Sequence, residues 1–351
     1  MKQNKVTMQS IADKLNISKS LVSKALSNQA GVSEETKERV RLEAIRSGYR
    51  FNSSIMNVPS SETGIIAVLL PREDLYDIEY WGRIIRCIEE ELSKKSFSMI
   101  LAGIDTMLST SDGMPACITD RKVDGALILG FMPIAYIIAV QSTGIPAVLV
   151  DSLHYQSKLD HVLAENYCGG YDATRFLLDK GHRKIGFAGD ISYALSFKER
   201  YRGYLDAIKD FGEQFPGEKI EQYPLTADRA GSRLPLSESE ALQCFRQKEI
   251  PTALFCANDP VAFLVLQLME KCGLNCPDDI SLIGFDNVDK CEWVSPALTS
   301  VDARKDIMGQ RAVQQLLRRM EEGERRPEHL MITTEIVERN SVASRVSATK
   351  V

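Results

Sequence analysis

From residue 64 onward the chain alternates two hydrophobic patterns. Continuous apolar runs bounded by Gly, Pro or Asp, namely GIIAVLLP (64–71), FSMILAG (97–103), DGALILG (124–130) and IPAVLVD (145–151), suit strands buried on both faces of a parallel sheet. Between them lie amphipathic stretches of helical spacing, from Trp81 to about Lys95 and near 133–143. The rhythm then repeats: helix 167–180, strand KIGFAGD (184–190), helix 199–211, strand PTALFCAND (251–259), helix 260–273 and strand ISLIGFDN (280–287). Two successive βαβα runs predict two doubly wound α/β lobes, with ligands at the carboxyl ends of the strands. A helix over 306–322, a strand near 330–337 and a Ser-rich tail from 341, expected to fray, complete the chain.

The first 60 residues follow another pattern. Met8, Ile11, Ala12 and Leu15 form the apolar stripe of one short helix, and Leu21, Val22, Ala25 and Leu26 that of a second. Lys19, Ser20, Ser23, Lys24 and Ser27 fall on the opposite side of the second helix, which can touch something polar. Thr7 and Ser18 stand where N-caps belong, their hydroxyls able to accept from orphan backbone N–H groups. A third helix begins after Ser33, with Glu34, Glu35 and Glu38 near the positive end of its dipole and Gly48 placed to end it. Val40, Ala44 and Ile45 would close a three-helix core. Two short helices joined by a tight turn outline a DNA-reading helix-turn-helix, although the pattern alone also fits a plain amphipathic hairpin.

Charge sharpens that choice. Residues 1–60 carry ten Lys and Arg against five Asp and Glu, net +5, whereas the remainder carries 33 against 43, net −10. A basic head on an acidic body fits phosphate binding by the head alone. At 351 residues and 44% hydrophobic the chain is long enough for two or three globular domains. No apolar run reaches the length of a membrane span and the N-terminus is polar, so the expected location is the cytoplasm, in association with the nucleoid. The eight cysteines are scattered without a CxxC pair; Cys272 and Cys276 lack a matching pair, and neither a metal nor a cofactor is expected. Nothing else suggests catalysis: GxSxG, P-loop and HExxH patterns are missing, and His182-Arg183 read as a turn after the helix stop Gly181.

Over roughly residues 6 to 340 the chain resembles the LacI/GalR family of bacterial transcription regulators. The resemblance is carried by ordered blocks: Val6-Thr7, Ile11-Ala12 and Val22-Ser23-Lys24 in the head, then GHRKIGFAGD (181–190), ERYRGY (199–204), AND (257–259), PDDISLIGFDN (277–287) and PALTSVD (296–302). It implies a small all-α helix-turn-helix head plus an α/β body of two doubly wound parallel-sheet lobes of periplasmic-binding-protein type. The expected division is a head at 1–50, a hinge or linker at 51–63, an N-terminal lobe at 64–162 plus 292–322, a C-terminal lobe at 163–291 plus 323–340, and a flexible tail at 341–351. It further implies a homodimer on a palindromic double-stranded operator. Lys19, Ser20, Ser23, Lys24 and Ser27 would face bases and phosphates, with Thr7, Ser18 and Asn28 on the backbone. Lys24 stands where arginine is usual, and lysine lacks the bidentate fork that matches guanine. In the hinge, Met56 and Val58 occupy the places of the family's arginine and minor-groove leucine, and Pro59 ends any helix there. A short hinge helix capped by Asn52 and a plain linker both remain open.

Effector sites of such bodies lie in the cleft between lobes. Asp286 and Asn258 stand at the ends of apolar strands, Asp151 ends another, and Arg200 matches the family's cleft arginine. Tyr80 and Trp81 begin the first body helix, where an aromatic pair could stack on a ligand; interface packing would explain Trp81 as well, and a cap role would explain Asp286. The expected function is a repressor switched by a small molecule, with a sugar or sugar derivative favoured over a purine-like ring or a protein co-effector. A sugar-binding protein without regulatory role and a cleft enzyme using Asp151 and Asp286 leave residues 7–50 unexplained. The tail lacks a leucine heptad, which favours a dimer over a tetramer.

Overall fold

A computed structural model describes residues 7–26, 31–47, 63–108, 113–218, 220–225, 242, 243, 245, 246, 250–323 and 325–345. The chain divides into two compact units, Met1–Ser61 and Glu62–Val351.

The first unit holds helices Met8–Leu15, Lys19–Leu26 and Glu34–Ser47. Each is capped as its sequence requires. Thr7 Oγ1 accepts from the Ser10 amide at 3.3 Å while Ser10 Oγ accepts from the Thr7 amide at 2.9 Å, a reciprocal capping box. Ser18 and Ser33 accept from the amides of Leu21 and Thr36 at 3.1 and 3.3 Å. Asn16, at φ 54°, turns the chain out of the first helix in the left-handed region that a short polar side chain tolerates. Ile11, Ala12, Val22, Ala25, Val40 and Ala44 form the buried centre, and Ile17 and Val32 from the connecting turns close its rim. Leu21 departs from expectation: it is half-buried and outside that cluster, at the edge of the stripe, about 100° round the helix from Val22. The side chain of Ile45, and Ser27, Asn28, Gly48 and the hinge with Asn52, Met56, Val58 and Pro59, lie outside the described residues.

The second unit contains two six-stranded sheets. One comprises β1 (Ile65–Pro71), β2 (Ser98–Ile104), β3 (Gly125–Leu129), β4 (Ala147–Val150), β5 (Asp160–Ala164) and β11 (His329–Ile332), all parallel, in the order β11-β5-β4-β3-β1-β2. The other comprises β6 (Lys184–Ala188), β7 (Glu221–Leu225), β8 (Ala253–Cys256), β9 (Ser281–Phe285), β10 (Thr299–Asp302) and β12 (Glu335–Val337), in the order β12-β10-β9-β8-β6-β7, with β12 antiparallel to its neighbour. The continuous apolar runs are explained by burial on both faces. Along β1, Ile66, Val68 and Leu70 join the cluster containing helix Trp81–Lys94, while Ala67 and Leu69 join the one containing Tyr136, Ile137 and Val140 of helix Ile134–Ser142.

Three expected boundaries are corrected. Residues 292–322 do not all belong with the first sheet: β10 pairs with β9, so the chain returns to the first lobe only at helix Lys305–Glu322. Residues 323–340 do not form one piece of the second lobe, because the single strand expected near 330–337 is two strands in different sheets, β11 on β5 and β12 on β10. An apolar run cannot reveal which sheet edge accepts it. The tail expected to fray from 341 is instead pinned at its start. Ser341 is fully buried, its hydroxyl donating to the Leu282 carbonyl at 2.6 Å and accepting from the Thr299 amide at 2.8 Å, and the Ala343 carbonyl bonds a ring nitrogen of His182 at 3.0 Å.

Candidate functional site

The carboxyl ends of strands in both lobes face one cavity of about 430 Å³. Tyr80, Trp81, Asp151, Arg200, Asn258 and Asp286 all line it, brought together from five separate stretches of sequence.

Arg200 reaches the cavity because two helices pack unusually close. Helix Asn166–Asp179 crosses helix Leu195–Gln214 at Gly170 and Gly203, where an added Cβ would come within 2.3 Å of the Arg200 carbonyl and 2.2 Å of the Tyr167 carbonyl respectively. Only a glycine at each position permits that backbone approach. One turn from the crossing, the Arg200 guanidinium is spread over three partners. Its Nε donates to Asn166 Oδ1 at 2.8 Å, Nη1 to the Ala257 carbonyl at 2.7 Å and Nη2 to Asp286 Oδ1 at 3.1 Å. The Phe285 ring lies under it at 3.6 Å.

Asp286 follows β9 and Asp151 follows β4, in opposite lobes, and both hold positive φ, 102° and 53°. Such backbone conformations cost free energy in a non-glycine residue and concentrate at functional sites. Burial pushes both carboxyls upward. Asp151 rises to about 6, with the Tyr80 hydroxyl and Arg200 pulling the other way, and Asp286 is raised despite Arg200 and Lys305. The Tyr80 hydroxyl donates to Asp151 Oδ2 at 2.7 Å, and burial together with that carboxylate drives its own ionisation well above the ordinary tyrosine value. Asp286 is therefore an ion-pair partner and not a cap. Asn258 is the cap: its Oδ1 accepts from the Val261 amide at 3.1 Å, which leaves the amide nitrogen for a ligand. Trp81 is 7% exposed and packs edge-on to Tyr80 at 5.0 Å between centroids.

Five residues escaped sequence reasoning. Asn166, which follows the apolar strand β5 as Asn258 follows β8, could have been read by the same rule. Lys305, buried at 2% exposure, donates to the main-chain carbonyls of Asp286 and Asn287 and so holds the strained turn; nothing local signals it. Glu73, Asp74 and Asp77, on the segment after β1, add carboxylates to the cavity wall. His182 is fully buried between Thr252 and the Ala343 carbonyl and does not line this cavity. Among the described residues no group of three or more His, Cys, Asp or Glu could hold a metal ion, and no helix is long and apolar enough to cross a membrane.

On the head, Ser18 is exposed just before helix Lys19–Leu26, and within the helix Lys19, Ser20 and Lys24 are exposed and Ser23 half-buried, while Val22 and Ala25 are buried. Thr7 is exposed at the start of the first helix. A helix offering two ammonium groups and two hydroxyls can meet phosphates and base edges together.

A family model described as a periplasmic binding protein-like domain matches residues 174–342. The chain is 28% identical over 341 residues to the HTH-type transcriptional repressor PurR of Pectobacterium carotovorum subsp. carotovorum (strain PC1), covering 96% of this chain and 97% of that relative. The PurR repressor of Klebsiella pneumoniae subsp. pneumoniae is likewise 28% identical over 341 residues, with the same shares covered. Among solved structures, a LacI family transcriptional regulator from Enterococcus faecium with bound ribose superposes with a TM-score of 0.64 at 26% identity, covering 80% of this chain and 99% of that one. The lac repressor dimer bound to operator and the anti-inducer ONPF superposes with a TM-score of 0.74 at 20% identity, over 97% of this chain and 100% of that one, a likeness of fold.

Proposed function

For a chain that belongs to the LacI/GalR family of transcriptional regulators, we propose a dimeric repressor that reads a palindromic operator with helix Lys19–Leu26 and is switched by a sugar or sugar derivative held in the cavity between its lobes. That the chain is a ligand-responsive transcriptional regulator, and not an enzyme, follows from the family. The finer reading is supported above all by one observation: six polar and aromatic residues scattered over the body converge on one cavity at strand carboxyl ends.

Carboxylates from both lobes suit the hydroxyl donors of a sugar, and the Enterococcus relative holds ribose. A ligand bridging Asp151 and Asp286 would favour one lobe arrangement, and that difference in affinity supplies the switch. In the head, Lys19, Ser20, Ser23 and Lys24 supply base and phosphate contacts, and Ser18 and Thr7 fix the register on the DNA.

Operator selection from random duplex DNA at two salt concentrations tests this, comparing the intact protein with a Ser23→Ala, Lys24→Ala double variant. A palindrome recovered by the intact protein and lost in the variant supports the reading. Salt-sensitive enrichment without a sequence overturns it.

A further inference from the structure

We propose that the effector is an aryl glycoside: its sugar occupies the cavity around Asp151 and Asp286, and its aromatic aglycone extends into a second, outer cavity. This inference rests on the sugar-effector reading of the first cavity and adds the group to which that sugar is joined.

The outer cavity, of about 610 Å³, is lined in part by the same residues as the first: Glu73, Asp77, Tyr80 and Asp286 belong to both. The segment between β1 and helix Trp81–Lys94 forms one side of the junction. Asp74 and Trp81 line the first cavity only, whereas Tyr76, Ile78 and Glu79 line the outer one only. On the other side, helix Asp259–Lys271 leads from one cavity to the next. Its cap Asn258 lines the first, and Pro260, Phe263, Leu264 and Gln267 line the outer. Those four positions have the i, i+3, i+4, i+7 spacing of a single helix face, and at about 1.5 Å per residue they continue the wall for about 10 Å along the helix. A sugar held by Tyr80 and Asp286 is thus already at the boundary.

The outer wall suits an aromatic ring better than a second sugar. Tyr76, Ile78 and Leu264 are 83, 76 and 37% exposed, and Pro260, Phe263 and Val288 complete the apolar part of the lining. Single exposed apolar side chains are ordinary, but these converge from both lobes on one cavity beside the effector site. A second sugar would bring hydroxyls to Ile78, Leu264 and Val288, whose side chains offer no hydrogen bond. An aromatic ring buries that surface, and burial of roughly 55 Å² is enough for a ten-fold gain in affinity. Lys290, the single Lys or Arg on this wall among the described residues, holds its ammonium over the Phe263 ring at 4.7 Å, a contact that a second aromatic ring extends. Glu79 and Gln267 are on the same wall to meet a hydroxyl carried by the ring.

The test is a calorimetric titration of the intact protein with matched pairs, the 4-nitrophenyl against the methyl glycosides of D-glucose and D-galactose in both anomers, together with maltose and cellobiose. The expected result is a 4-nitrophenyl glycoside that binds at least about ten-fold more tightly than its methyl partner and than either disaccharide. In a Tyr76→Ala, Ile78→Ser variant that gain should shrink to about two-fold or less. Both side chains are largely exposed, so the ligand-free variant should melt with the parent. A gain that survives in the variant, or a disaccharide that matches the best aryl glycoside, overturns the inference. Methyl glycosides binding as tightly as their aryl partners remove the aglycone and leave the sugar reading standing. No glycoside or disaccharide binding at millimolar concentration removes both.

Discussion

Arg200 and Asp286 meet at 3.1 Å inside the cleft with side chains only 3% and 8% exposed, an ion pair taken out of water at the point where ligand must enter. Breaking one half of such a pair leaves an uncompensated buried charge, at a cost of about 3–5 kcal/mol. Arg200→Ala should therefore lower the urea midpoint of the body strongly. Asp286→Asn keeps shape and acceptor oxygen but leaves the buried Arg200 guanidinium without its counter-charge, so it should lower the midpoint as well. An unchanged midpoint in either variant would mean that the pair contributes nothing to stability.

The helix crossing at Gly170 and Gly203 makes a sharper prediction, because backbone atoms cannot rotate out of the way. Gly203→Ala should destabilise by about 3 kcal/mol or more, through overpacking that the neighbouring helix must absorb. It should also weaken effector binding, since Arg200 lies one turn from the displaced backbone. Gly212→Ala in the same helix meets nothing within 4 Å and should be neutral or stabilising by up to about 1 kcal/mol. Thermal melts of the two variants side by side check the contrast.

Two buried groups set opposite slopes of stability with pH. The Asp151 carboxyl is raised from its ordinary value of 3.8 to about 6, so the folded state holds its proton longer than the unfolded chain. That contribution favours folding at low pH and is lost as pH rises from about 4 to 6. His182 is lowered from 6.5 to about 4 by burial, so its contribution is present at neutral pH and is lost as pH falls through that window. Asp259, raised to about 7 by burial, and Asp286, also raised, share the sign of Asp151. Relative to the parent, Asp151→Asn should lose less stability as pH rises from about 4 to 6, and His182→Gln should lose less as pH falls through the same range. Denaturant titrations at four pH values separate them.

Truncation after Asn340 tests the pinned start of the tail. It removes the Ser341 hydroxyl from the buried Leu282 carbonyl and Thr299 amide, and the Ala343 carbonyl from His182. Each buried group left unpaired costs about 1–3 kcal/mol, so the truncated chain should melt several degrees lower. A truncated chain that melts with the parent would show the segment to be dispensable.

Much of this protein could be read from its sequence because the relevant physics is local. Apolar runs without alternation mark strands covered on both faces, and Ile66, Ala67, Val68, Leu69 and Leu70 are all fully buried. Thr7, Ser18 and Ser33 mark helix starts because a hydroxyl three residues ahead is what an orphan amide needs. Asp151, Asn258 and Asp286 were visible as polar residues closing apolar strands, the place where doubly wound sheets present side chains to ligands. Tertiary structure alone decided the rest. Which sheet takes β10, β11 and β12 depends on edges formed elsewhere in the chain, and no property of a short strand encodes its distant partner. Ser341 looked like frayed tail because its two partners, Leu282 and Thr299, are remote in sequence. Lys305 carries no local signal, yet it is buried and holds the turn that carries Asp286. Periodicity and capping are properties of neighbours along the chain, whereas pairing and charge balance are properties of neighbours in space.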